Sequence, residues 1–489
     1  MLILYNPPSS ARRKPVMPLA LLALGALLEG RHDYTIVDGN LDLSALDTID
    51  RLVREGADML AVTVMPGPQL ADAVPLCKEI KSRHPDLVVV WGGYFPTQHY
   101  DVCLRSGYVD YVVRGHGEVV FLNLVDALAR GEDATDLQGL AYRDASGMVR
   151  TNDMPTIPHP DSLPDFPYER IEMQRYARAS FMGERTLAHH SSYGCPFFCN
   201  FCAVVNMVGG RWLAQSAERT ANVTRRLVTE FGANAVEFYD NNFFVHEART
   251  ADFAERIKDL QVGWWGDARI DTLLRYSDRS WELMRDAGLR MVFMGAESGS
   301  DETLKRMNKG GSASTQKTLW IAEKMQSYGI VPEFSFVLGN PPDPEADVHS
   351  TLDFIRKVKR VNPQSEIIMY VYTPVPLAGE LYDQAQAQGF LFPKSLEEWI
   401  SDDWQDFSQR RSSSIPWLHD PLRQELKDFE RVLSAYYPTV TNPRLRGLRR
   451  MALRAVSAWR YHLQIYRYPL ELRSLQRVLA YQRPETCGF

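Results

Sequence analysis

Cysteine is scarce in this chain, with six in 489 residues. That excludes the disulfide framework of a secreted scaffold and points to a reducing cytoplasm. No apolar run approaches the ~20 residues that cross a bilayer. Residues 12–30, "RRKPVMPLALLALGALLEG", have the basic start and apolar run of a signal peptide. They follow "MLILYNPP", a buried strand and turn, and no small-x-small cleavage site comes after, so they are expected to form a buried first helix. No G-x-G-x-x-G occurs, which disfavours a dinucleotide site. There is no excess of positive charge either. The formal net charge is -6, so the chain as a whole is not a nucleic-acid binder.

What is present is length and a repeated strand–helix pattern. A chain of 489 residues exceeds one ordinary core and predicts two large domains with a smaller third. Over residues 1–140, short β-branched runs (2–5, 34–38, 58–64, 87–91 and 109–113) alternate with helix-length segments. This predicts an α/β fold with a doubly wound parallel sheet, binding ligands at the carboxyl ends of its strands. Those ends read "DGN", "MPGPQ", "GGYFPTQ" and "RGHGE". A linker is expected over 141–182, where "MPTIPHPDSLPDFP" holds five prolines. Six further strand–helix units over 183–390 predict a partial TIM-like barrel, with functional residues at its carboxyl strand ends. Its strands are placed at 186–194, 235–240, 263–270, 290–297, 332–339 and 366–373.

The strand pattern stops near residue 395, and 391–489 is expected to be helical. Residues 443–483 carry ten arginines and one acid, Glu471, mixed with Leu, Trp and Tyr at helical spacing. Two alternatives stand: a helical tail packed on the body, or a helix in peripheral contact with a membrane or another anionic partner.

Half of the cysteines fall in "CPFFCNFC", as Cys195, Cys199 and Cys202. A zinc site needs a fourth ligand, which His189 or His190 would supply in a Cys3His set, and a zinc-binding adaptor is the alternative of that class. An iron–sulfur cube ordinarily takes four cysteines. Three leave one iron open, and an open position is what separates a catalytic from a structural metal site.

C-x3-C-x2-C with Phe201 before its last cysteine resembles the radical S-adenosylmethionine (SAM) motif, placed after the first barrel strand as that family requires. The resemblance implies a [4Fe-4S] cluster on Cys195, Cys199 and Cys202, with SAM on the open iron. It implies SAM contacts from Phe201, from Asp240 in "FYDNNFF" and from Arg269 in "ARID". Glu297 and Ser298 in "GAESGS" and, at the later strand ends, Gly339 and Tyr372 complete that set. The N-terminal stretch "VTVMPGPQ…VVVWGGYFPTQ…VDYVVRGHGE" resembles the cobalamin-binding domain of class B radical SAM enzymes. Pro66, Gly67, Gln69, Gly92, Gly93, Thr97, Gly115, Gly117 and Glu118 are the implied cobalamin residues. The chain departs from many cobalamin proteins in having no D-x-H-x-x-G, and in having Tyr94 and Phe95 where relatives commonly read Gly-Gly-x-His. His99 and His116 are expected to be surface or loop residues rather than cobalt ligands. The function implied is methylation of an unactivated carbon through a 5′-deoxyadenosyl radical and methylcobalamin. The implied partners are a small-molecule or lipid-like substrate and an electron donor such as flavodoxin or ferredoxin. The layout also resembles the anaerobic magnesium-protoporphyrin ester cyclase, so the alternative is oxidative cyclisation or carbon–carbon coupling on a tetrapyrrole or lipid.

Overall fold

The computed structural model of the chain describes residues 1–9, 15–309, 312–376, 380–408, 418–442 and 445–482. Its first sheet contains β1 (Leu2–Asn6), β2 (Tyr34–Asp38), β3 (Met59–Thr63), β4 (Val88–Gly92), β5 (Tyr111–Val113), β6 (Leu140–Arg143) and β7 (Val149–Thr151), in the order β2-β1-β3-β4-β5-β6-β7. The first five strands are parallel, as their apolar runs predict, because helices cover both faces. The sheet continues past residue 140 into an antiparallel hairpin that the sequence pattern does not show. Asp144 holds its turn by accepting from Ser146 N (2.9 Å), Met148 N (3.0 Å) and Arg150 Nε (2.7 Å). The expected linker therefore begins with sheet.

Helix Leu19–Leu28 is apolar on every side, and Leu21, Leu22 and Leu28 are buried. A helix without a polar face must be covered all round. One side packs on the first sheet, and Leu22 joins the core of the second domain. Gly25 permits the approach, since a Cβ there would lie 2.6 Å from Tyr34 Oη.

The second sheet is formed by β8 (Thr186–His189), β11 (Ala235–Phe238), β12 (Gly263–Ala268), β13 (Leu289–Glu297), β14 (Val331–Leu338) and β15 (Glu366–Val371), all parallel, in the order β15-β14-β13-β12-β11-β8. This is the six-stranded partial barrel. Alternation sets its two faces. Val236, Phe238, Trp264, Val292, Met294 and Phe334 belong to the core beneath the outer helices. Their neighbours Tyr239, Trp265, Asp267, Phe293 and Glu333 therefore face the lumen. The strand expected over 186–194 is split. After a bend, β9 (Ser192–Gly194) leaves the barrel and pairs with β10 (Trp212–Ala214) as an antiparallel ribbon.

The proline-rich segment is strapped down. Arg219 donates to Pro160 O (2.6 Å) and Leu163 O (2.7 Å), and Arg226 to Phe166 O (3.2 Å). Arg170 reaches back to Glu29 (2.6 and 2.8 Å), and Tyr176 Oη donates to Asp38 (2.6 Å). The segment thus fixes one domain against the other.

The C-terminal region returns to the first domain. Leu396 and Trp399 enter its core. There the rings of Phe95, Phe392 and Trp399 enclose His99 at centroid distances of 5.1, 5.1 and 4.5 Å. His99 thus occupies a bend between two helices, a loop position as expected, with aromatic rings packed around it. Burial disfavours its imidazolium and lowers its pKa to about 4. A base whose pKa falls on folding stabilises the fold above its unfolded pKa of roughly 6.5 and loses that contribution as pH drops toward 4. His99→Phe is expected to flatten this loss, worth at most about 3 kcal/mol. Denaturant midpoints measured from pH 7 to 4 check it. The closing helices, Asp420–Tyr436, Leu448–Leu463 and Leu470–Leu479, pack on the barrel core through Phe429, Leu453, Tyr461 and Leu472.

Candidate functional site

The cysteine loop hangs from a fixed hinge. Both oxygens of buried Asp240 accept from the bend before it: Ser191 N (2.6 Å), Ser191 Oγ (2.6 Å) and Ser192 Oγ (2.7 Å). Asp240 is thus committed to shaping the loop entrance, and a ribose hydroxyl would have to share those oxygens. At Gly194 (φ +79°) a Cβ would meet Arg211 O at 2.3 Å, so only glycine closes the ribbon there. The far side is tied to residues 306–308, with Asn200 Nδ2 donating to Arg306 O (2.6 Å) and Asn308 Nδ2 to Phe198 O (3.0 Å).

Cys199 is buried, and Cys195 and Cys202 are partly so. Burial pushes the Cys202 thiol up to about 11. It also raises Cys199, against the pull of Lys309 and Arg269. Each of the three sulfurs has an N–H group beside it: Arg269 Nη1 at 3.5 Å from Cys199, Asn242 Nδ2 at 3.8 Å from Cys195, and the Val204 backbone N–H at Cys202. Soft thiols set among N–H donors fit ligands that become thiolates on a cluster. Of the two candidate fourth ligands for zinc, His189 is already spent. His189 has both ring nitrogens engaged, with Tyr168 Oη and with Gln215, each at 3.0 Å.

Charged groups converge beside the loop. Arg269 is buried over the Phe197 ring (3.7 Å), paired with Asp271 (3.0 Å on both oxygens), and donates to Lys309 O (2.8 Å). Burial alone would lower its pKa, but the Asp271 bond, with the charges of Asp271 and the nearby cysteines, holds it raised. Glu297 ends β13 in the left-handed region (φ 64°), where the register with β14 breaks. Such backbone costs energy in a non-glycine residue and gathers at functional sites. Its carboxylate pairs with Lys309 Nζ, which also donates to Gly295 O (2.6 Å). A side chain at Gly295 would collide with that pair.

Ser298 is wholly buried and faces Asp347 Oδ1 (3.2 Å) rather than the loop. The other Asp347 oxygen accepts from Gly339 N (3.0 Å) and Asn340 N (3.1 Å). Asp347, which sequence reasoning missed, therefore clamps the ends of β13 and β14 together, with Ser298 and Gly339 as its partners. Phe201 and Tyr372 share one apolar cluster with Leu304 and Met307. In the lumen, Asp267 has a buried Oδ1 without a partner. Burial first, then the charges of Glu333 and Asp240, keep its carboxyl far above the usual range.

A second feature lies where the domains meet. A cavity of about 200 Å³ is walled by Leu19, Ala20, Leu21, Ala23 and Leu24 of the first helix and by the carboxyl ends of β3, β4 and β5. Gly92, Gly93, Gly115, Gly117 and Glu118 line it. Thr97 works behind it, donating to Gly93 O (2.6 Å) and accepting from Gly115 N (3.0 Å), which joins two lining loops. Pro66, Gly67 and Gln69 are not among the lining residues. Gln69 turns back instead, donating to Asn6 Oδ1 (3.0 Å) and Pro7 O (3.1 Å). The barrel side supplies His190, Tyr193 and Met207. His116, in the loop after β5 as expected, lies in the wall with its ring 4.3 Å from Tyr193. Glu118 Oε2 and His190 Nε2 are buried there without partners. Glycine walls and two orphaned polar atoms suit a ligand that brings its own hydrogen-bonding groups, and because ligand pockets usually measure roughly 300–1,000 Å³, a corrin would extend beyond this cavity.

The family models agree with both features. The B12 binding domain matches residues 11–125, and the Radical SAM superfamily matches residues 190–355. An uncharacterised methyltransferase of Pyrococcus horikoshii is 28% identical over 412 residues, 82% of this chain and 86% of that protein. The anaerobic magnesium-protoporphyrin IX monomethyl ester cyclase of Synechocystis is 27% identical, over 65% of this chain and 64% of that one. The fold is shared with the cobalamin-dependent SAM radical enzyme OxsB, solved with aqua-cobalamin and SAM, at TM-score 0.66 and 16% identity over 98% of this chain and 75% of that one. With a B12-binding sheet ahead of a partial barrel that presents the cysteine triad, the chain belongs to the cobalamin-binding class of radical SAM enzymes.

Proposed function

We propose that the chain methylates an unactivated carbon of a small-molecule or lipid-like substrate. One observation carries this: the cysteine loop and the domain cavity share a wall. Tyr193, just before Cys195, and Met207, just after Cys202, both line the cavity. Two cofactor sites with a common partition suit a reaction that needs both at one carbon. When bound, the cluster supplies the electron that splits SAM, and cobalamin supplies the methyl group. Cys195, Cys199 and Cys202 would hold the cluster, while Arg269 and Lys309 place positive charge beside it. Glu297, presented by its strained backbone, would accept from SAM hydroxyl or ammonium groups. The glycine walls and Glu118 would hold cobalamin. The lumen, with Trp265 and Phe293 facing each other at 6.4 Å, would receive the substrate. An external one-electron carrier such as flavodoxin or ferredoxin would restore the cluster.

The relationship to the methyltransferase of Pyrococcus horikoshii supports methyl transfer. The cyclase relative keeps ring closure as the second reading. Anaerobic turnover with methyl-labelled SAM separates them, because a labelled product one methyl heavier supports methylation and an unlabelled ring-closed product overturns it. The cavity has its own check. A Cβ at Gly92 would make only ordinary contacts, so Gly92→Leu should fold and fill the space. Cobalamin retained through gel filtration is expected to fall at least about tenfold, with the iron content unchanged.

A further inference from the structure

The last two helices have a face that the reaction does not use. Seventeen large apolar side chains are exposed among the described residues, and nine of them lie between Leu448 and Val478. Scattered single apolar residues need no explanation, but a concentration of this kind marks an interaction surface. Helical geometry sets the face. Leu453, Ser457, Arg460 and Tyr461 point inward, and Tyr461 stacks on Tyr436 at 4.4 Å. The opposite stripe holds Leu448, Met451, Trp459 and Leu463, which are 82, 67, 47 and 66% exposed. Tyr468, Leu470 and Val478 continue it over the next turn and helix.

The charge around this stripe has one sign. Arg446, Arg449, Arg467 and Arg477 are exposed, and none forms an ion pair with a described residue. The one acid of this region, Glu471, is taken by Arg460, which holds it with Nε and with Nη2 at 3.0 Å. Arg473 is satisfied by buried Asp428 at 3.1 Å. The outward charge is therefore uncompensated.

We infer that this face of helices Leu448–Leu463 and Leu470–Leu479 docks on the surface of an anionic lipid bilayer. Apolar crests flanked by arginine, with Trp and Tyr between, are the composition of helices that lie in the headgroup region. A second copy of the chain is a poor occupant, because its identical face would bring arginine against arginine. A nucleic acid would engage the arginines but leave Leu448, Met451 and Val478 in water. No described helix is long and apolar enough to cross a membrane, so the contact is along the surface. The inference is independent of the chemistry at the cysteine loop.

Sedimentation of the full chain with vesicles tests it. Binding is expected to phosphatidylcholine vesicles containing roughly one quarter phosphatidylglycerol, weakening as salt rises, and not to phosphatidylcholine alone. The pair Trp459→Ser/Leu463→Ser and the pair Arg449→Glu/Arg467→Glu should each lower partitioning by about tenfold or more. Iron content and the melting temperature should hold in both, since all four side chains are exposed. The inference is overturned by no binding at low salt, by equal binding to neutral vesicles, or by partitioning that neither pair changes. A dimer in light scattering that the Trp459→Ser/Leu463→Ser pair dissolves would assign the face to a second copy instead, and overturn it equally.

Discussion

Cys199→Ala is expected to abolish SAM cleavage, lowering 5′-deoxyadenosine formation by at least about three orders of magnitude. Cys199 is the most buried of the three thiols and the one with the Arg269 guanidinium beside it at 3.5 Å. Alanine there removes a cluster ligand from the middle of the loop. It also leaves Arg269 facing a void, although Asp271 and Lys309 O still hold that side chain. The fold should survive, because the loop is anchored at Asp240 and at residues 306–308 rather than by its sulfurs. Iron and sulfide after anaerobic reconstitution, the absorbance near 400 nm characteristic of such clusters and 5′-deoxyadenosine yield are the measurements. A variant that keeps full iron content and cleaves SAM would remove the cluster assignment, and with it the proposed reaction. Conversion of Phe198, an exposed neighbour in the same loop, controls for damage to the loop itself.

The parallel strands were legible because burial on both faces demands continuous apolar runs, as in "VVVW" of β4 and "MLAV" of β3. The hairpin of β6 and β7 left no such trace, since an edge hairpin with a solvated face needs few apolar residues. The cysteine triad was legible by spacing, because all three ligands come from one loop. Lys309 and Asp347 were not. Each acts on a residue 12 or 49 positions away, and pairing between separate strand ends imposes no period on the sequence.

The cavity shows the same division. Gly92, Gly93, Gly115, Gly117 and Glu118 lie at the carboxyl edge of the sheet, where the rule for parallel sheets places ligands. Gln69 follows the same edge, yet its amide is spent joining the β1 and β3 loops. The opposite wall comes from the first helix and from Tyr193 and Met207, which lie far along the sequence from these glycines. The unbroken apolar surface of Leu19–Leu28 was a usable signal. A helix with no polar side has to meet something beyond its own sheet.

Lys309→Met should be the most destabilising single change near the site. Lys309 and Glu297 are 7 and 8% exposed, and Glu297 stands on left-handed backbone. Removing the ammonium leaves a carboxylate that is buried, unpaired and unable to retreat to water. The cost of such a broken pair is about 3–5 kcal/mol. Glu297→Gln/Lys309→Met removes both charges and should recover most of that loss, because a neutral amide is far cheaper to bury than an unpaired carboxylate. Denaturant midpoints of wild type, both single variants and the double variant give the coupling energy directly. Stability and ligand binding then separate. If Glu297 serves only to hold the strand end, the double variant regains SAM affinity along with stability. If its carboxylate also accepts from SAM, stability returns while SAM affinity stays at least about tenfold weaker, the cost of a lost bond to a charged acceptor. Equilibrium binding of SAM to the reconstituted double variant therefore decides whether the strained residue at the end of β13 is a strut or a ligand.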